Sequence, residues 1–277
     1  MTKSDKPLSG RKVLVTRARE QSQPLRDLLV PLGAEVCEIP VIEITAPPDY
    51  TELDRALMCL GDYDWLIFAS KNSVKYTLSR AQELGQSAAF TRTKIAAIGP
   101  AGVEELAKHG LAAAFCPSNF VAENLISEFP NYPNLAGLKF LWPKTNIGRT
   151  LIVDKLTAAG ARVDTALAYI TGLPKDHEQL AAELIAQLTA GKIDVITLAS
   201  AQSAKNLTAL INIGLKQHPD LSLSSLLEPV KIAAIGPVTA EAARLCLGRV
   251  DIEAAQYTLV GLTESLLASL KFPQKGQ

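Results

Sequence analysis

Residues 10–36, GRKVLVTRAREQSQPLRDLLVPLGAEV, return at residues 137–163 as GLKFLWPKTNIGRTLIVDKLTAAGARV, with Gly10 matching Gly137 and Gly33 matching Gly160 at one offset of 127 positions. A gapless offset over such a length is the mark of an internal structural repeat. A longer unit repeats in the same way. YDWLIFASKNSVKYTLSRAQELG (63–85) returns as IDVITLASAQSAKNLTALINIG (193–214), with Asp64 and Asp194, and Ser70 and Ser200, each 130 positions apart. Both copies then run into KIAAIGP, at residues 94–100 and 231–237. The chain therefore reads short unit, long unit, short unit, long unit, and two similar lobes follow.

Each unit alternates compact apolar runs with helical patterns. Val13 to Thr16, Trp65 to Ala69, Ile95 to Ile98 and Phe140 to Trp142 are short enough for buried strands, and amphipathic stretches separate them. Such alternation predicts an α/β fold in which parallel strands are joined by helical crossovers into open, doubly wound sheets. Gly33, Gly85, Gly110, Gly160 and Gly214 each close a periodic stretch, where a left-handed helix C-terminus is expected. Pro31 falls inside the last turn of the first helix and predicts a kink or an early end there. Two apolar, proline-bearing segments, Glu38 to Pro48 and Ala166 to Pro174, each follow a short unit. They read equally well as ordinary strands or as paired connections between lobes.

Composition narrows the function. In 277 residues, 28 Lys and Arg balance 28 Asp and Glu, so no global field draws the chain to nucleic acid or a membrane surface. The hydrophobic share of 48% supports two ordinary cores. Met1 to Ser9 carry no apolar targeting segment and no later run is long enough to span a bilayer, so a cytoplasmic protein is expected. Cys37, Cys59, Cys116 and Cys246 stand in apolar segments without metal-binding spacing and read as structural thiols. His109, His177 and His218 are scattered beside polar or turn positions, which places them on loops or helix ends and leaves no metal site.

Ligands of open α/β sheets gather at the carboxyl ends of strands, where helix N-termini aim backbone N–H groups at anions. The residues expected there are Thr16 and Arg17, Ser70 and Asn72, Lys144 and Arg149, and Ser200, together with the glycine turns at Gly99 and at Gly236 with Thr239. Singly, each hydroxyl is what a helix cap alone requires. Repeated in both copies, and with Arg17, Lys71, Lys144, Arg149 and Lys231 as counter-charges, they suit a ligand bearing several carboxylates. Dinucleotide, P-loop, zinc-protease and serine-hydrolase motifs are missing, so neither a nucleotide cofactor nor covalent hydrolysis is indicated.

Several of these features together resemble the uroporphyrinogen-III synthase family, over essentially residues 10 to 270. They are Thr16-Arg17, Phe68-Ala-Ser70-x-Asn72-x-Val74, Ala97-Ile-Gly-Pro100, its second copy Ala234-Ile-Gly-Pro-Val-Thr239, Tyr169, and Thr258 before Gly261-Leu262. The resemblance implies two flavodoxin-like lobes with parallel sheets, joined by a two-stranded antiparallel linker. Residues 1–38 plus 173–277 would form one lobe, residues 45–165 the other, and 38–45 and 166–173 the linker strands.

It also implies an enzyme of porphyrin and heme biosynthesis, a monomer needing no cofactor. That enzyme cyclises the linear tetrapyrrole hydroxymethylbilane to uroporphyrinogen III with inversion of the last pyrrole ring. Loss of water gives an azafulvene, and ring closure passes through a spiro-pyrrolenine. Tyr169 is the family-matched proton donor to the departing hydroxyl. The chain departs from the family pattern at Gly102 and Ala69, where threonine is usual, and at Lys71-Asn72, where some members carry arginine. The competing readings are a non-catalytic two-lobed small-molecule sensor, since hinged α/β lobes also bind solutes, and, ranked lower, a nucleotide-binding response domain.

Overall fold

The computed structural model describes residues 6–148 and 150–269 and divides into two compact units, Met1–Glu43 with Gly172–Gln277, and Ile44–Thr171. Each unit is built on its own five-stranded sheet.

The chain enters the first unit through β1 (Lys12–Val15), α1 (Arg19–Leu29) and β2 (Glu35–Glu38). The second unit holds β3 (Glu43–Thr45), α2 (Thr51–Met58), β4 (Trp65–Phe68), α3 (Lys71–Glu83), β5 (Lys94–Ala97), α4 (Pro100–Lys108), α5 (Ala122–Ser127), β6 (Lys139–Thr145), α6 (Leu151–Ala158) and β7 (Arg162–Gly172). The first unit is then completed by α7 (His177–Thr189), β8 (Val195–Leu198), α8 (Ala201–Leu215), α9 (Leu223–Leu227), β9 (Lys231–Ala234), α10 (Pro237–Leu247), β10 (Ile252–Glu253) and α11 (Leu259–Ser269).

In the first unit the strand order is β10-β9-β8-β1-β2, and each neighbouring pair runs parallel. The order reverses between β1 and β8, where the chain leaves one side of the sheet and resumes on the other. In the second unit the order is β3-β7-β6-β4-β5, with β6/β7, β4/β6 and β4/β5 parallel. Its corresponding reversal lies between β6 and β4. These reversals are the switch points at which strand ends splay and leave a crevice for ligands.

Strand side chains alternate between faces, so each sheet is buried twice. In the first unit Leu14, Ile196 and Ile232 pack with α7, α8 and α10, while Val13, Val15, Val195 and Ala233 pack with α1 and α11. In the second, Leu66, Phe68 and Leu141 face α2 and α3, while Trp65, Ile67, Phe140 and Trp142 face α5 and α6. The repeated pair Asp64 and Asp194, and with them Asp251, pin strands at their amino ends. Asp194 accepts the Lys12 backbone N–H at 2.8 Å, Asp64 that of Lys139 at 2.8 Å, and Asp251 that of Ile232 at 2.8 Å.

Helix α1 stops at Leu29 and a 3-10 turn carries Pro31, as the missing proline N–H requires. Gly33, Gly85, Gly110 and Gly160 all have positive φ. Gly214 does not conform: it lies inside α8, and a Cβ there would strike Cγ1 of Ile185, so it is a close-packing residue between α8 and α7 rather than a helix stop. Two of the thiols expected to be structural, Cys59 and Cys116, are exposed. Among the described residues no helix is long and apolar enough to cross a membrane.

Candidate functional site

The carboxyl ends of β4, β6 and β7 enclose a pocket of about 350 Å³ within the second unit, lined among others by Ser70, Phe120, Trp142, Lys144, Leu151 and Tyr169. It opens at the β6/β4 switch point. A volume near the lower end of the roughly 300–1,000 Å³ usual for small-molecule sites suits one portion of a large ligand.

Ser70 is the N-cap of α3 because its extended backbone (φ −160°, ψ 157°) turns its Oγ onto the first helical turn. That oxygen accepts the Ser73 N–H at 3.0 Å, while the Ser73 hydroxyl accepts the Ser70 N–H at 3.2 Å, a reciprocal capping box. Ser70 Oγ also lies 3.0 Å from the Tyr169 phenolic oxygen. Since the serine oxygen already accepts from Ser73, its own proton is available to the phenol.

Tyr169 owes its place to a bulge. The β6/β7 register steps from Lys144 opposite Leu167 to Thr145 opposite Tyr169, so β7 carries one extra residue there. A bulge re-aims the side chain that follows it, and Tyr169 joins Ala166 and Ala168 in one core cluster instead of alternating away from Ala168. The ring stacks on Tyr76 at 5.7 Å and is 6% exposed, and this burial pushes the phenol pKa up, against a smaller lowering by Ser70. The phenol therefore stays protonated at neutral pH.

Lys144 places its ammonium 5.5 Å from the centre of the Trp142 indole, and the indole Nε1 is buried without a hydrogen-bond partner among the described residues. Beyond it, Asn146 Oδ1 accepts the Thr171 N–H at 2.9 Å, stapling β6 to β7. Asn72 is half-buried in the first turn of α3, and Gly99 caps α4 with φ +88°. Arg149 lies outside the described residues.

In the first unit the matching positions each follow a strand, Arg17 after β1, Ser200 after β8 and Gly236 after β9. Ser200 caps α8 with the same box as Ser70, accepting the Ser203 N–H at 3.1 Å. Gly236 caps α10, and Thr239 is buried in that helix's first turn. Arg17 is half-buried, and its Nε donates to the Gln21 carbonyl at 2.7 Å. Burial pushes its pKa down, and among the described residues it forms no ion pair, which leaves a desolvated cation with its charge unanswered.

Two expected contacts are not where the sequence put them. Thr16 is fully buried and donates its hydroxyl to the Thr197 carbonyl at 2.7 Å, so that group bonds β1 to β8 instead of facing a ligand. Lys231 begins β9 at the amino end of the strand, where it pairs with Asp251 at 3.5 Å, a strand length from the other candidates.

A larger hollow of about 490 Å³ lies at the opposite end of the second sheet, around Arg55, Tyr63, Lys139 and Asp164. Its polar groups largely answer one another: Asp164 accepts from Arg162 at 2.9 Å and from Tyr63 at 2.9 Å, and the Tyr63 phenol, partly desolvated beside that carboxylate, is pushed up to about 12. The smaller pocket, at the carboxyl ends of the strands, is therefore the functional candidate.

The model of the family described as uroporphyrinogen-III synthase HemD matches residues 9–264. The chain belongs to the uroporphyrinogen-III synthase family. It is 34% identical over 262 residues to the uroporphyrinogen-III synthase of Synechococcus elongatus, covering 94% of this chain and 95% of that one. It is 26% identical over 263 residues to the uroporphyrinogen-III synthase of Chlorobaculum parvum, covering 94% and 99%. In fold it is similar to a mutant uroporphyrinogen III synthase of Thermus thermophilus (TM-score 0.63, 18% identity, 95% and 99% covered). The enzyme of Helicobacter pylori is also similar (TM-score 0.59, 15% identity, 93% and 99% covered).

Proposed function

We propose that the pocket at the ends of β4, β6 and β7 holds part of hydroxymethylbilane while the chain closes it to uroporphyrinogen III, and that Tyr169 protonates the departing hydroxyl. A member of this family is a cyclising lyase of porphyrin biosynthesis, and cyclisation of hydroxymethylbilane is its reaction. The observation that carries the site assignment is the contact of the buried Tyr169 phenol with Ser70 Oγ at 3.0 Å, in the wall of a mainly apolar pocket that Lys144 also lines.

The chemistry asks little of the protein beyond placement. A pyrrole-stabilised hydroxymethyl group loses water once its oxygen is protonated, which leaves an azafulvene cation. Attack by the substituted carbon of the last ring gives the spiro-pyrrolenine, which fragments and closes again with that ring inverted. The hydrogen lost from the last ring at closure returns a proton, so the acid is restored. A phenol kept neutral by burial supplies the first proton, and the Ser70 hydroxyl, itself polarised at the α3 N-terminus, stabilises the phenolate left behind. The rest is the holding of a near-attack geometry and of carboxylates.

In this reading Lys144, Arg149, Asn72 and the Gly99 turn hold substrate in the second unit, and Arg17, Ser200 and the Gly236–Thr239 turn hold it in the first. Arg17 has the clearest physical case, as a half-buried cation that forms no ion pair among the described residues. The two compact units support the family's layout of two flavodoxin-like lobes, with residues 38–45 and 166–173 as the paired connections between them. The same reading takes the enzyme as a cytoplasmic monomer without a nucleic-acid partner.

The test is Tyr169→Phe, which keeps the ring and its stack on Tyr76. Turnover is expected to fall by roughly a hundredfold or more, with affinity for uroporphyrinogen III nearly unchanged. A turnover within twofold of the parent would remove Tyr169 as the acid.

A further inference from the structure

The two glycine turns share a feature that neither capping nor backbone conformation accounts for. At Gly99 a Cβ would stand 3.3 Å from Cβ and 3.4 Å from Cγ of Phe120, so the aromatic side chain lies directly on the glycine. At Gly236 a Cβ would stand 2.8 Å from Cδ1 and 3.1 Å from Cγ of Tyr257. Gly236 is extended (φ 168°, ψ 180°), a conformation open to any residue, so the ring above it is what requires glycine there.

The pair obeys the long repeat. Gly99 and Gly236 are 137 positions apart, and so are Phe120 and Tyr257. The structural context repeats with them: Ala96 bridges Phe115 in parallel, Ala233 bridges Ile252 in parallel, and in each copy the aromatic follows five residues later, just before a helix. Two different aromatic residues thus occupy one structural position in the two units.

Both segments are braced from below. Glu128 accepts from the Ser118 N–H at 2.7 Å, the Ser118 hydroxyl at 2.6 Å and the Asn124 amide at 2.7 Å, tying the Phe120 loop to α5. Thr258 Oγ1 accepts the Gly261 N–H at 3.0 Å at the start of α11, fixing the residue after Tyr257. Yet the braced side chains are not hidden. Phe120 is 56% exposed and Tyr257 is 68% exposed, with Val238 of the same turn 76% exposed beside the Gly236 cap. A ring kept for packing is buried; a ring that is anchored on one side and left open on the other offers its surface to something. Phe120 offers it inside the pocket that also holds Lys144, Ser70 and Tyr169.

We infer that Phe120 and Tyr257 are substrate-contacting shelves, one in each unit, against which pyrrole rings of the linear tetrapyrrole lie while the nearby cations and turn N–H groups take their carboxylates. The assignment rests on the proposed reading of the pocket. A pyrrole is flat and electron-rich, and its edge carries the acids, so a rigid aromatic side chain beneath the ring and donors around the rim match both of its parts. Aromatic stacking of this kind is tolerant of which ring is presented, as the same surface serves any π-face.

The experiment uses the full chain with Phe120→Leu, Tyr257→Leu, the conservative Phe120→Tyr and Tyr257→Phe, and Gly236→Ala. It measures KM for enzymatically made hydroxymethylbilane, the Kd for reduced uroporphyrinogen III by calorimetry, and Tm. Each leucine variant is expected to raise KM and Kd about tenfold with Tm unchanged, because the rings are exposed, and the conservative variants to bind as the parent does. Gly236→Ala is expected to push the Tyr257 ring aside and cost the same tenfold, with no further loss when combined with Tyr257→Leu. Parent-like Kd in the leucine variants, or losses that follow Tm, overturn the inference while the parent still makes uroporphyrinogen III. A parent that neither binds uroporphyrinogen III nor alters the product isomer overturns the underlying function instead.

Discussion

The Tyr169 phenol and the Ser70 hydroxyl lie 3.0 Å apart, and the same serine oxygen caps α3 by accepting the Ser73 N–H at 3.0 Å. One side chain thus links the positive end of a helix to the proposed acid. Replacing Ser70 by Ala is expected to do two separable things. Loss of the cap lowers stability by about 1 kcal/mol, read as a lower urea midpoint, and loss of the phenolate's partner lowers kcat about tenfold with KM little changed. Ser70→Thr keeps both contacts and is expected to restore both. A kcat that stays at the parent value in Ser70→Ala would separate the serine from the chemistry.

The burial that raises the Tyr169 pKa sets a pH limit with a definite sign. A group protonated more readily in the folded state contributes its stability fully below the ordinary tyrosine range near ~10, and that stability is lost as pH rises through the raised value. The acid form likewise persists through that range. The alkaline limb of kcat is therefore expected above about pH 10, and Tyr169→Phe should abolish the part of it that remains. A limb well below that value, unaffected by Tyr169→Phe, would assign the titration to another group.

Arg17 makes a prediction opposite in kind to that of a structural arginine. It is half-buried, it donates to the Gln21 carbonyl, and among the described residues no acid pairs with it. Arg17→Met relieves a desolvated charge, so the urea midpoint should hold or rise, while KM rises roughly tenfold to a hundredfold. A fall in stability with KM unchanged would make Arg17 a brace of α1 and not a ligand contact.

The aspartates at the strand starts should behave in the reverse way. Asp194→Ala frees the Lys12 N–H and Asp64→Ala frees the Lys139 N–H, each a charged acceptor lost from the central region of its sheet. Asp194→Ala is expected to cost about 1.5–3 kcal/mol in chemical denaturation and Asp64→Ala, whose carboxylate is exposed, about 0.5–1.5 kcal/mol, with KM for folded enzyme unchanged. A change confined to KM would contradict the scaffold role.

What the sequence disclosed and what it concealed divide along physical lines. The strands, the matched caps at Ser70 and Ser200 and the positive φ of Gly33, Gly85, Gly110 and Gly160 were legible because periodicity, cap chemistry and repetition are local properties. Lys231 was misplaced although the signal was available: it precedes its apolar run, and in a parallel strand the carboxyl end lies beyond that run. Thr16 could not be judged in advance, since a hydroxyl at a strand end can face solvent or cross-link the sheet with equal ease, and only the neighbouring Thr197 carbonyl decides it. Gly214 misled because its tight approach to Ile185 depends on how α7 meets α8. The bulge that turns Tyr169 to the face of Ala168 is a register event between two strands, invisible in either alone. Phe120 and Tyr257 lie past the matched runs that end at residues 100 and 237, and their correspondence appears only when each is seen lying on its glycine.

The most direct measurement is the isomer composition of the product. Hydroxymethylbilane generated enzymatically in the presence of this protein, followed by oxidation and chromatographic separation of the porphyrins, is expected to yield predominantly the type III isomer. A yield of type I matching the reaction without the protein would contradict the account.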